Sequence, residues 1–194
     1  MNRSEFELLL REAGALCRES DFIVFGSQAV LGWLEKPPRS LLVSFEADLY
    51  PRNHPAAAVL IRPRLGLNSP FYRKHGFYAD SVTPELATFP DGWTDRLIPF
   101  SNKNTGGVTA WCVEIHDITV SKLAAGRPKD ARYILALLRH ELITVKTLRT
   151  RIDLLPSESD QRRLHAAFDE LLKQFRRGKK AATTQRAKPV RRKK

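Results

Sequence analysis

The chain has 194 residues, 42% of them hydrophobic, and a formal net charge of +12, which suits one domain with a packed core, or one domain and a small helical appendage. No run approaches the ~18 consecutive apolar residues of a membrane span. The acids of Ser4-Glu5-Phe6-Glu7 stand where a signal peptide carries its basic region, so membrane and secretory classes are set aside and a cytoplasmic protein is expected.

The elements follow from periodicity. Ser4-x-x-Glu7 has the pattern of a capping box, and Phe6, Leu9, Leu10, Ala13, Leu16 and Cys17 recur at helical spacing. A helix is therefore expected over residues 4–18. Phe22 to Phe25 reads as a first strand, stopped by Gly26-Ser27. Residues 28–35 form an apolar-rich helical segment ended by Pro37-Pro38, and Leu41 to Phe45 reads as a second strand finishing in Glu46-Ala47-Asp48. A polar loop over residues 50–55 leads to a short helix within residues 56–65, cut early by Pro63, and Asn68-Ser69-Pro70 starts a turn.

Further strands are expected at 77–82, 96–100 and 108–115, the last preceded by the hairpin signal Asn104-Thr105-Gly106-Gly107. The rest reads as helices at 117–125, 128–142, 144–152 and 157–177, with Pro128 suited to a first turn. Asp117 fits a helix cap. The five histidines show no metal-ligand spacing, and Trp33, Trp93 and Trp111 read as core or half-buried residues. Cys17 and Cys112 read as buried free thiols of a reducing compartment, although their separation alone does not forbid a disulfide.

From Arg176 onward there are ten Lys/Arg and no acid, which leaves 23 basic residues against 21 acidic in the body. Residues 178–194 are expected to be disordered. Arg176, Arg177, Lys179, Lys180, Arg191 and Arg192 are the cations expected to meet nucleic acid, RNA in particular.

Two stretches carry chemistry. Side chains alternate faces along a strand, so Glu46 and Asp48 point the same way. Neighbouring carboxylates repel unless a cation or proton sits between them, and a hard divalent ion suits them. Gly26-Ser27, a strand-to-helix turn, offers backbone N–H groups and a hydroxyl to phosphate; Ser27 as a plain helix cap is the alternative. Downstream, Lys122, Arg127, Lys129 and Asp130 form a second group. Lys supplies a point charge and Arg a planar fork for phosphates, and Asp130 would orient one of the cations or accept from the nucleotide.

Gly26-Ser27, Glu46-x-Asp48 and, far downstream, Asp117, Lys122-Leu123-Ala124-Ala125 and Arg127-Pro128-Lys129-Asp130 occur in an order that resembles the DNA polymerase beta-type nucleotidyltransferase superfamily. Within it the chain looks like proteins related to the AbiEii abortive-infection toxins, over about residues 20–140. The resemblance implies an α/β fold: a short mixed sheet flanked by helices (residues 1–142), a helical C-terminal region (143–177) and the basic tail (178–194). It implies Mg²⁺ or Mn²⁺ held by Glu46 and Asp48 and a third acid, Asp80 by preference and Glu114 as second choice. It also implies a nucleoside triphosphate on Gly26, Ser27, Lys122, Arg127 and Asp130, and transfer of a nucleoside monophosphate to a hydroxyl of RNA or protein, in a setting where a toxin or antitoxin partner is common. Glu46 stands where the pattern has Asp, and the gap from Gly26-Ser27 is longer than in minimal members. Both departures fit the alternative, an inactive module of the same fold that binds nucleic acid or neutralises a partner.

Overall fold

The computed structural model describes residues 1–186, with side chains to 178. Helix α1 (Arg3–Cys17) is capped by Asn2, whose side chain accepts from Glu5 N–H while Glu5 reaches back to Asn2 N–H. The capping box is thus Asn2-x-x-Glu5 and not the expected Ser4-x-x-Glu7; Glu7 is buried and accepts from the Asn102 and Asn104 amides. Strand β1 (Asp21–Phe25) is followed by a 3-10 turn and the four-residue α2 (Val30–Trp33).

The second strand departs from expectation. Leu41 to Phe45 lies outside the sheet, with Leu41 buried and Val43 and Phe45 71% and 65% exposed; β2 (Glu46–Pro51) begins at the carboxylates instead of ending there. A period of two runs through it, with Ala47, Leu49 and Pro51 buried and Glu46, Asp48 and Tyr50 on the other face. A 3-10 stretch and α3 (Ile61–Leu65) follow, Pro63 sitting in the first turn where its missing N–H costs nothing. Then come α4 (Pro70–His75), capped by Ser69, and β3 (Tyr78–Ser81). Strand β4 (Ile98–Phe100) is joined to β5 (Thr109–Cys112) through a 3-10 turn, Gly106 and Gly107, a wider connection than a two-residue hairpin.

The five strands form one mixed sheet in the order β3-β2-β1-β5-β4, with β1/β5 and β2/β3 parallel and β1/β2 and β4/β5 antiparallel. β1 is central and buried over four of its five residues, which suits its unbroken Phe22-Ile23-Val24-Phe25 run. The expected strand at 108–115 is cut to four residues because Glu114 caps α5 (Ile115–Ala125).

Helices α6 (Pro128–Arg139), α7 (Val145–Asp153) and α8 (Glu158–Arg186) complete the described residues. α7 packs on α5, and α8 touches α5, α6 and α7, with Leu148, Ile152, Leu164 and Phe168 in the common hydrophobic core. α8 runs nine residues beyond its expected end: Gly178 costs a helix about 1 kcal/mol, and the Lys, Ala, Gln and Arg that follow favour one. Among the described residues no helix is long and apolar enough to cross a membrane. Cys17 and Cys112 are buried free thiols.

Candidate active site

Sheet register places three acids on one face. In the parallel pair β2/β3, Asp48 lies beside Asp80 and Glu46 beside Tyr78, so Glu46, Asp48 and Asp80 share one face. Asp80 therefore joins the pair, and Glu114 does not: it accepts from the His116 N–H at 2.9 Å and meets His116 Nδ1 at 2.7 Å, capping α5. Asp117 is not the cap expected of it. Its carboxylate is buried between Arg96 (2.8 Å) and Arg151 (3.1 Å), clasping α5 to α7 and to the segment before β4.

Phe25, the last residue of β1, pairs with Asp48 across the sheet, which brings the next residue, Gly26, against the Asp48 carboxylate. Gly26 has φ 67°, and a Cβ built there would collide with Asp48 Oδ2. Only glycine meets both demands at low cost. Ser27 opens the 3-10 turn without capping it, and its carbonyl accepts from the Tyr133 hydroxyl of α6 at 3.2 Å.

The second group lies on the facing helices. Asp130 is buried and holds Lys122 Nζ at 3.1 Å and Arg127 Nε at 2.6 Å. Its carboxylate thus orients both cations. Lys122 also stands 4.7 Å from the centre of the Tyr133 ring. Lys129 Nζ is 3.9 Å from Glu46 Oε1.

The charges of the two groups are coupled. Burial, then Glu46 and Asp80, push the Asp48 carboxyl up to about 6 against the pull of Lys122 and Lys129. Burial lowers the Lys122 ammonium below its ordinary value, with Asp130 opposing. Burial works against ionised Asp130 too, but Arg127 and Lys122 overcome it and hold that carboxyl low. Asp48 is the group left with unrelieved negative charge around it.

All eight residues expected to bind metal or nucleotide, namely Gly26, Ser27, Glu46, Asp48, Asp80, Lys122, Arg127 and Asp130, line one open cleft of about 1430 Å³. The tail residues are not brought to it by anything described. Arg176 and Arg177 are exposed on α8, while the Lys179 and Lys180 side chains and the whole of Arg191 and Arg192 lie outside the described residues.

Three side chains at the site escaped sequence reasoning. The Tyr78 hydroxyl donates to Glu46 Oε2 at 2.7 Å. A signal for it existed, since Tyr78 sits two residues before Asp80 and shares its face. Arg62 pairs with Asp80 at 3.4 Å, and Tyr133 supports both Lys122 and Ser27; nothing local in sequence marks either.

Three carboxylates without nitrogen or sulfur donors suit a hard divalent cation. The side chains themselves stand apart. Among the described residues no three His, Cys, Asp or Glu form a group that could hold a metal ion; Tyr78 and Lys129 engage Glu46, and Arg62 pairs with Asp80.

A family model described as nucleotidyltransferase of unknown function (DUF6036) matches residues 4–176. No curated protein and no solved structure matches the chain.

Proposed function

The chain belongs to that family of nucleotidyltransferases of unknown function, and from this premise we propose that it transfers a nucleoside monophosphate from a nucleoside triphosphate to an acceptor hydroxyl in the cleft. The observation that carries the proposal is the placement of Glu46, Asp48 and Asp80 on one sheet face, beside the Gly26-Ser27 turn and in one cleft with Lys122 and Arg127.

In this reading the Gly26 backbone and the Ser27 hydroxyl hold phosphate, and Asp130 presents Lys122 and Arg127 to the triphosphate. The acceptor oxygen attacks the α-phosphorus as the bond to pyrophosphate breaks, and a carboxylate of the trio takes the hydroxyl proton. Positioning and charge neutralisation carry most of such a step. Glu46 and Asp80, once released from Tyr78, Lys129 and Arg62, would hold Mg²⁺ or Mn²⁺ together with Asp48, and the ion would neutralise phosphate charge.

The order of the motifs supports a relation to the DNA polymerase beta-type superfamily and to AbiEii toxins. A toxin or antitoxin partner and a cytoplasmic setting belong to this reading, the latter favoured by the free thiols. A second reading, a non-catalytic module of the same fold, is favoured by one observation: Glu46 is engaged by Tyr78 and Lys129 instead of converging on Asp48. Calorimetric titration with Mg-ATP, Mg-CTP, Mg-GTP and Mg-UTP separates the two. The transferase reading expects saturable binding of at least one triphosphate that disappears on chelation of the metal; the module reading expects none.

A further inference from the structure

The cleft exceeds the ~300–1,000 Å³ of a typical small-ligand pocket, at about 1430 Å³, and two of its walls differ in chemistry. One wall is the strip of residues 40–46 that runs along α6. It is pinned at one end by Ser40 Oγ and His140 Nε2, 3.2 Å apart, and at the other by Glu46 and Lys129. Between the pins Val43 and Phe45 line the cleft while remaining largely exposed to solvent. Large apolar side chains held out of the core beside a site gather where a ligand covers them.

The other wall is α6 itself. Lys129, Arg132 and Arg139 follow at intervals of three and seven residues, on one face of the helix, and all three line the cleft. They span about 15 Å at the ~1.5 Å rise of a helix. Lys129 is engaged by Glu46, but among the described residues Arg132 and Arg139 have no carboxylate within ion-pair distance. No acid lies between Asp130 and Arg139 to balance them.

We propose that this groove is the acceptor subsite of the transfer reaction, and that its occupant is the single-stranded end of a polynucleotide, with phosphates on Arg132 and Arg139 and a base stacked on Phe45. The inference rests on the transferase reading. It adds the class of acceptor and the residues that select it. A cationic track flanked by an exposed aromatic is the combination that holds single strands, because phosphates and unpaired base faces are both available. A duplex offers the phosphates but hides the base faces, and a protein acceptor can offer the arginines carboxylates but no unpaired base for Phe45. The Lys129 end of the groove opens on Glu46, so a strand lying in it brings its terminal hydroxyl toward the carboxylates.

The test is fluorescence anisotropy of the full chain with a labelled single-stranded RNA of about ten nucleotides, a length within usual single-strand site sizes, and with the corresponding duplex. Titration with Mg-ATP, Mg-CTP, Mg-GTP and Mg-UTP runs in parallel. Arg132→Glu with Arg139→Glu should weaken single-strand binding about tenfold or more and reduce the salt slope by about 1.4, two phosphate contacts' worth. Phe45→Ser should weaken it about fivefold or more with the slope unchanged, should leave duplex binding as it was, and should be rescued by Phe45→Tyr. All these side chains are exposed, so melting temperatures should hold, and affinity for whichever Mg-triphosphate the wild type binds should stay within about twofold. Wild-type single-strand affinity in every variant, or no single-strand binding by the wild type, overturns the proposal, as does an equal effect of Phe45→Ser on duplex and single strand. Loss of strand binding in the variants of a protein that binds no Mg-nucleotide keeps the groove and sinks the transferase reading; normal Mg-nucleotide binding with unaltered strand binding does the reverse.

Discussion

Asp48 is the residue on which the site's electrostatics converge. Burial against Gly26, and then the neighbouring Glu46 and Asp80, raise its carboxyl from an ordinary value near 3.8 to about 6. A carboxyl raised on folding binds its proton more tightly in the folded state. Its contribution to stability is therefore present at low pH and is lost as pH climbs from about 3.8 through about 6, by up to about 3 kcal/mol in the metal-free protein. Asp48→Asn removes the charge that causes this loss. Metal-free Asp48→Asn should accordingly be more stable than wild type at pH 7 and lack that part of the pH slope, while divalent-dependent triphosphate binding disappears. Urea melts across that pH range check the first claim, and calorimetry the second. A variant with the wild-type slope would show that the Asp48 carboxyl is not raised on folding. One with unchanged Mg-nucleotide affinity would remove the metal role from Glu46 and Asp48 together.

At the level of elements, the joint between α5 and α6 is what faces the carboxylates with cations. Gly126 ends α5 in the left-handed region and Pro128 starts α6 at once, so Lys122 in the last turn of one helix and Asp130 in the first turn of the next come within 3.1 Å. Pairing on a buried acid holds Lys122 in place, its side chain 12% exposed, while Arg127 remains open to the cleft at 56%. Lys122→Ala should thus weaken triphosphate binding more than monophosphate binding, about tenfold against about twofold, since a point charge acts on the phosphates and not on the base. Titration of both ligands checks this. Equal losses would signal a packing defect at the joint, where Tyr133 loses its cation and Asp130 one of its partners.

For the whole molecule, charge is divided between a nearly balanced body and a cationic end. Cutting the chain after Phe175 removes ten basic residues and no acid. Leu164, Phe168, Leu171 and Leu172, which bury α8, all precede the cut. Stability should therefore change by less than about 1 kcal/mol, as is usual for solvent-facing changes. Affinity for RNA should fall, with a shallower dependence on salt, because fewer counterions are released. The loss should be equal for single strands and duplexes, since unpatterned cations read only the backbone charge. Anisotropy titrations at two salt concentrations decide it: equal affinity and equal slope before and after truncation would place all contacts on the body.

The order of the motifs implied the class of fold by resemblance. The sequence by itself determined the helices from α5 onward, apart from the far end of α8, the break at Gly26, and the pairing of Glu46 with Asp48 on one strand face. Each depends on periodicity or on neighbours within a few residues, which local sterics and alternation enforce. Tertiary structure alone decided that Asp80 and not Glu114 joins them, because parallel pairing of β2 and β3 is set by contacts some thirty residues apart, whereas Glu114 is taken by the helix beginning beside it. The same holds for residues 41–45, whose apolar pattern is that of a strand: their place is taken in the sheet by Glu46–Pro51, which buries Ala47 and Leu49, and Val43 and Phe45 are left facing the cleft. An apolar run reports that burial is favourable, but which run is buried depends on how the whole chain competes for the core.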